Sequence, residues 1–132
     1  MAKIVSYSEA ASIGLHGMLL VARAGETTNV QKIAEITKAS KHHVAKVMQR
    51  LVKEGFLSSN RGPSGGFTLL MKPEDITLLM IYEAIEGKLK KTNCPNDHPI
   101  CPLGGCILGT VVSDMSDLFR NHMESSRLSD LI

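Results

Sequence analysis

Ser40-Lys-His-His-Val-Ala-Lys-Val-Met-Gln-Arg-Leu-Val-Lys-Glu-Gly-Phe-Leu-Ser-Ser-Asn-Arg-Gly-Pro-Ser-Gly-Gly-Phe-Thr-Leu-Leu70 changes its apolar period halfway along, and that change decides the fold. In the first half Val44, Val47, Met48, Leu51 and Val52 recur at helical spacing, and Gly55 is a natural stop. The opposite face carries Lys41, His42, His43, Ala45, Lys46, Gln49, Arg50 and Lys53. Such a helix buries one side and offers hydrogen-bond donors to base edges and phosphates on the other. The second half reads as a hairpin: a strand over 56–59, a turn from Asn60 to Gly66, and a returning strand over 67–70. This Gly-rich turn joins two strands and lacks the Gly-Lys-Ser/Thr ending of a nucleotide-phosphate loop, so it is no phosphate cradle of that kind.

Upstream, Ala11, Leu15, Met18, Leu19 and Ala22 predict a first helix that ends at Gly25. Val30, Ile33, Ala34 and Thr37 predict a short second one, capped by Asn29 or Thr28 and joined to the third through Ala39 and Ser40. Two short helices, a recognition-type helix and a two-stranded wing predict a winged helix-turn-helix over residues 1–72, in a fold that is mainly α with a small β-hairpin. Its DNA-facing residues are expected to be Ser40, Lys41, His42, His43, Lys46, Gln49 and Arg50 on the helix, with Arg61, Gly62 and Ser64 on the wing. Gln49 and His43 are favoured over Lys53 for base contacts, and Arg61 for the minor groove or the phosphate backbone.

The formal net charge of the 132 residues is only +2 and decides nothing alone. Its distribution is informative: between Lys38 and Arg61 six cations face one acid, Glu54, whereas beyond Cys106 four acids face two arginines. Positive charge focused on one element is the footprint of a polyanion partner, against the plainer alternative of a lysine-rich solvated face. No apolar stretch is long enough to span a bilayer, and no cationic start followed by an apolar run reads as a signal peptide, so a cytoplasmic location is expected.

Residues 73–132 read as a linker helix, a loop and a longer helix. Pro73, Glu74 and Asp75 introduce a helix with Leu78, Ile81, Tyr82 and Ile85 on one face and Gly87 at its end. The segment 88–106 is rich in Pro, Gly and polar residues and holds all three cysteines, Cys94, Cys101 and Cys106. From Cys106 a helix is expected with Leu108, Val111, Val112, Met115, Leu118, Phe119 and Met123 as its apolar seam. Little chain remains to cover that seam, which predicts packing on the same helix of a second subunit, with docking on the first helix as the alternative.

An odd number of clustered cysteines argues against a disulfide framework and for thiolate ligands in a reducing compartment. Thiolates suit iron-sulfur clusters, zinc and copper(I); the absence of a Cys-x-x-Cys knuckle disfavours structural zinc. A metal-free thiol switch is a further reading. An enzyme with Cys94 or Cys101 as nucleophile would need a partnered base, and only His98 lies in the same loop, so no enzyme is expected.

The stretch from Ser40 to Leu51, the wing from Gly55 to Phe67, Pro73-Glu-Asp-Ile-Thr-Leu78, Glu83-Ala-Ile-Glu-Gly87, the three cysteines and the ending Leu128-Ser-Asp-Leu-Ile132 together resemble the iron-sulfur transcriptional regulators of the IscR and NsrR type. The resemblance covers nearly the whole chain. It implies a homodimer that binds a palindromic double-stranded DNA operator, as a repressor, under control of a [4Fe-4S] or [2Fe-2S] cluster on Cys94, Cys101 and Cys106. Nitric oxide, redox state or iron supply would be the signal. Some relatives add a carboxylate from the partner's first helix. Ser12 stands where that acid would fall, so Glu9, one helical turn earlier, is the first candidate, with His98 and Asp97 as local alternatives. The gaps between cysteines hold six and four residues, where the family spaces them almost evenly. The alternative function is a metal-free or zinc-bound winged-helix adaptor answering to a thiol redox signal, a small ligand or a partner protein.

Overall fold

A computed structural model describes residues 7–90, 94 and 104–132. The elements are α1 (Glu9–Ala24), α2 (Val30–Thr37), α3 (Lys41–Lys53), β1 (Leu57–Asn60), β2 (Gly66–Leu69), α4 (Leu78–Glu86) and α5 (Val111–Ser125). Two 3-10 turns, Pro73–Asp75 and Leu128–Leu131, complete them.

Each of the first three helices starts on a side chain that satisfies an orphan backbone donor. Ser8 Oγ accepts from Ala11 N, Asn29 Oδ1 from Lys32 N at 2.8 Å and Ser40 Oγ from His43 N at 3.1 Å. Of the two caps expected for α2, Asn29 is the one used. The turn between α2 and α3 opens on Lys38 at φ 59°, the left-handed conformation that ends a helix, and reaches the α3 cap two residues later.

The core draws Ile13 and Met18 from α1, Ile33 from α2, Val44, Met48 and Leu51 from α3, Leu57 from β1, and Ile76, Ile81 and Leu128 from beyond residue 72. One core therefore runs through both the 1–72 and the 73–132 segments. Helix α1 is its axis: Gly14 and Gly17 are buried, and a Cβ would collide with Ile85 at Gly14 and stand 2.7 Å from Met48 at Gly17. Leu15 and Leu19, expected in the apolar stripe, are only partly buried, because α1 packs on several neighbours and turns more than one face inward.

The antiparallel hairpin pairs Leu57 with Leu69 and Asn60 with Gly66. Thr28 adds a third edge: its N–H donates to the Phe67 carbonyl at 3.0 Å, and its carbonyl accepts from Phe67 N at 2.8 Å. Gly66 makes this possible, since a Cβ there would lie 2.5 Å from the Thr28 carbonyl oxygen.

Two expectations for the C-terminal half are corrected. The Pro73–Asp75 turn is separate from α4, which starts after Thr77, whose Oγ1 accepts from Met80 N at 3.1 Å. Extended backbone at Ile76 leaves a strand-like edge, and the tail pairs with it: Leu128 N donates to the Ile76 carbonyl and Leu78 N to the Ser126 carbonyl. The second correction concerns α5, which begins at Val111 and not at Cys106. The 104–110 stretch turns through Gly104 and Gly109 at positive φ, so Leu108 sits in a turn ahead of the helix.

Candidate DNA interface and cysteine segment

Helix α3 presents His42, Lys46, Gln49 and Lys53 outward, one after another at helical spacing, all exposed. Beside them an open cleft of about 470 Å³ is lined by Asn29 and Gln31 of the α2 start, Lys41 and Gln49 of α3, and the wing from Ser59 to Phe67. Its walls mix the apolar Val30, Pro63 and Phe67 with amide, hydroxyl and ammonium groups and glycine backbone, and the polar groups supply donors suited to phosphate and base edges. Arg61, Gly62 and Ser64 lie exposed at the wing tip, held by the Gly65 N–H to Gly62 carbonyl bond at 2.9 Å.

Three of the residues expected to face DNA have partners within the chain. Ser40 is the cap of α3, so its hydroxyl is already committed to the helix. His43 is half-buried on the flank of α3, and its Nδ1 lies 2.6 Å from Glu9 Oε1. A carboxylate only accepts, so Nδ1 carries the proton and Nε2 is the ring atom left for another contact. Arg50 is on the same flank two turns later and donates its Nε–H to the Ala84 carbonyl at 3.1 Å, with Glu54 Oε1 at 3.5 Å. Nothing in the local sequence signals these pairings, since Glu9 and Ala84 each lie 34 residues from their partner.

Of the cysteine set, Cys94 is half-buried and Cys106 is exposed, while Cys101, His98 and Asp97 lie outside the described residues. Cys106 Sγ accepts from Leu108 N at 3.4 Å, and its carbonyl accepts from Gly109 N at 3.1 Å. An N–H aimed at sulfur stabilises a thiolate and suits a soft metal ligand. Cys106 thus sits in a donor environment that suits an iron-sulfur ligand. Among the described residues no three of His, Cys, Asp and Glu converge on one point. Glu9, the candidate fourth ligand, is engaged through Oε1 by His43 of the same chain.

The seam of α5 divides into two faces. Phe119 stacks edge-on against Tyr82 of α4, with ring centroids 5.4 Å apart, and Met123 is buried, so these serve the chain's own core. Desolvation by that packing, with Glu86 nearby, raises the Tyr82 pKa above its ordinary value. Val111, Met115 and Leu118 are exposed on the other face, continuing from exposed Ile107 and Leu108, and Val112 is half-buried between the two. Ile107, 82% exposed, adds to this apolar surface and was missing from the seam expected from Cys106 onward. Among the described residues no helix is long and apolar enough to cross a membrane.

Comparison with known proteins agrees with this architecture. The NsrR regulator of Bacillus subtilis is 34% identical over 92 residues, 70% of this chain and 62% of that protein's length. Protein rrf2 of Nitratidesulfovibrio vulgaris is 25% identical over 121 residues, covering 91% of this chain and 77% of its own. The solved structure of CymR, the global cysteine regulator of B. subtilis, superposes with a TM-score of 0.76 at 22% identity, covering 97% of this chain and 96% of that one. An IscR structure from T. potens gives 0.73 at 22% identity, over 97% and 86%. The NsrR relative is named as an HTH-type transcriptional regulator and CymR as a global cysteine regulator. The family model described as Rrf2, iron-dependent transcriptional regulator, matches residues 7–132, and the chain belongs to that family.

Proposed function

We propose that this chain is a homodimeric repressor that binds a palindromic operator, and that an iron-sulfur cluster on Cys94, Cys101 and Cys106 controls its DNA affinity. The observation that carries the reading is connectivity. The segment with all three cysteines leaves the end of α4, which packs on α3, and leads into α5, whose outer stripe is exposed. A change in the segment can therefore alter both the recognition helix and the spacing between two such helices across a dimer. The iron dependence of the family and the N–H donated to Cys106 Sγ support a cluster rather than a bare thiol.

DNA would be read by Gln49, His42 and Lys46 in the major groove, with His43 Nε2 at the margin and Lys41, Arg61, Gly62 and Ser64 on the backbone or in the minor groove. Loss or rearrangement of the cluster by nitric oxide, oxidant or iron shortage would be the signal. Glu9 or His98 would complete the coordination.

The test is purification without oxygen, with assays for iron and acid-labile sulfide, for the wild type and for Cys94→Ala, Cys101→Ala and Cys106→Ala. The wild type should be coloured and hold both. Each variant should lose the cluster yet remain folded, because the core lies elsewhere. Zinc in the wild type would support the structural-metal alternative. A colourless protein whose DNA affinity still follows thiol oxidation would support the metal-free switch.

A further inference from the structure

Four contacts meet at the C-terminal end of α4. Arg50 of α3 donates to the Ala84 carbonyl at 3.1 Å. Glu83 accepts from Leu89 N at 2.7 Å, and Arg120 of α5 donates to the Leu89 carbonyl at 2.9 Å. Ser8, at the head of α1, bonds the Glu86 carboxylate. The last carbonyls of a helix lack intrahelical donors, and that end carries partial negative charge. Helix α4 has no basic residue in its last turn and holds Glu83 and Glu86 there. Arg50 supplies, from another helix, both the donor and the cation that α4 lacks.

A half-exposed contact of this kind adds little to stability. Its consequence is geometric: α3 cannot rotate or slide against the end of α4 without breaking it. The cysteine segment starts at the same place. Leu89, five residues before Cys94, is clasped through its N–H by α4 and through its carbonyl by α5. The recognition helix, the cysteine segment and the helix with the exposed stripe thus share one anchor.

We propose that Arg50 is a positioning residue that carries the state of the cysteine segment, through the end of α4, to the recognition helix. This rests on the reading that the segment governs DNA affinity. The competing role is a phosphate contact, which its charge would allow. The two roles differ in what they predict. A phosphate contact contributes about one unit to the salt slope of binding and is largely kept by lysine. A tie through Nε–H to a carbonyl is lost on changing to lysine, whose only donors are at the tip of the chain.

The experiment uses the full chain as wild type, Arg50→Ala, Arg50→Lys and Glu83→Ala, the last releasing Leu89 without touching α3. Each is prepared without oxygen in its iron- and sulfide-loaded form and in a chelator-treated form. Both forms are titrated, over a series of KCl concentrations, with a duplex that the wild type selects from a randomised pool. The wild-type affinities of the two forms should differ by a factor in the usual allosteric range, roughly 5- to 150-fold. In Arg50→Lys and Arg50→Ala that ratio should collapse to about threefold or less while the salt slope stays that of the wild type. Glu83→Ala should lose the ratio in the same way.

A slope about one unit smaller in Arg50→Ala and restored in Arg50→Lys makes Arg50 a phosphate contact and overturns the proposal. A wild-type ratio retained in Arg50→Lys overturns it equally, whatever Glu83→Ala does. A wild-type ratio of one is a different failure: it removes control by the cysteine segment, and this inference falls with it.

Discussion

Thr28 shows how one residue can be well placed and poorly satisfied together. Its backbone forms both hydrogen bonds of the bridge to Phe67, but its Oγ1 is buried with no partner among the described residues. An unsatisfied buried hydroxyl costs about 1–3 kcal/mol, whereas valine keeps the shape without the polar atom. Thr28→Val should therefore raise stability by roughly 1 kcal/mol, read as a higher denaturation midpoint at unchanged m-value. A lower midpoint would mean that the hydroxyl has a partner in solution. Arg61 offers the corresponding functional test, since it stands exposed at the wing tip with no role in the core. Arg61→Ala should weaken DNA binding and lower the salt slope by about one. Unchanged affinity and slope would take the wing out of the interface.

For α5 as an element, the two faces make opposite predictions. Leu118 is 73% exposed, so a carboxylate there costs the isolated chain almost nothing, whereas in a dimer seam it would be buried and unpaired. Leu118→Asp should give a folded monomer by sedimentation, with its thermal midpoint little changed at low concentration. A persistent dimer would place the interface elsewhere. Phe119→Ala should behave the other way, lowering stability through loss of the Tyr82 stack, worth about 0.5–1.5 kcal/mol beyond its area, without itself dissociating the proposed dimer. Helical periodicity reveals that α5 is apolar on much of its surface, and groups Phe119 with Leu118 as neighbours in one seam. Which of the two turns inward is decided by where α4 places Tyr82.

Across the whole molecule the tail closes the fold. Leu128 is fully buried and its N–H pairs with the Ile76 carbonyl, so the last residues bind the start of α4 to the same core as α1–α3. Leu128→Ala should cost about 2–5 kcal/mol in chemical denaturation, the range for a buried leucine whose site cannot collapse. A loss well under 1 kcal/mol would show that the tail is peripheral in solution.

The parts of this protein that the sequence by itself determined are those set by neighbours within a few residues. Apolar period distinguishes α3 from the hairpin, Asn29 and Ser40 cap their helices across three residues, and the Arg-Gly-Pro-Ser-Gly-Gly wing and clustered cysteines identify the family. Tertiary structure alone decided the partners of groups far apart in the chain: Glu9 on His43, Arg50 on the end of α4, Thr28 on the wing, and the tail on Ile76. A charged or polar side chain on a helix face looks free in sequence, whether it meets solvent, DNA or its own chain. Local hydrogen bonding and periodicity are encoded next to the residues that use them; a contact across 34 residues exists only once packing has brought its two ends together.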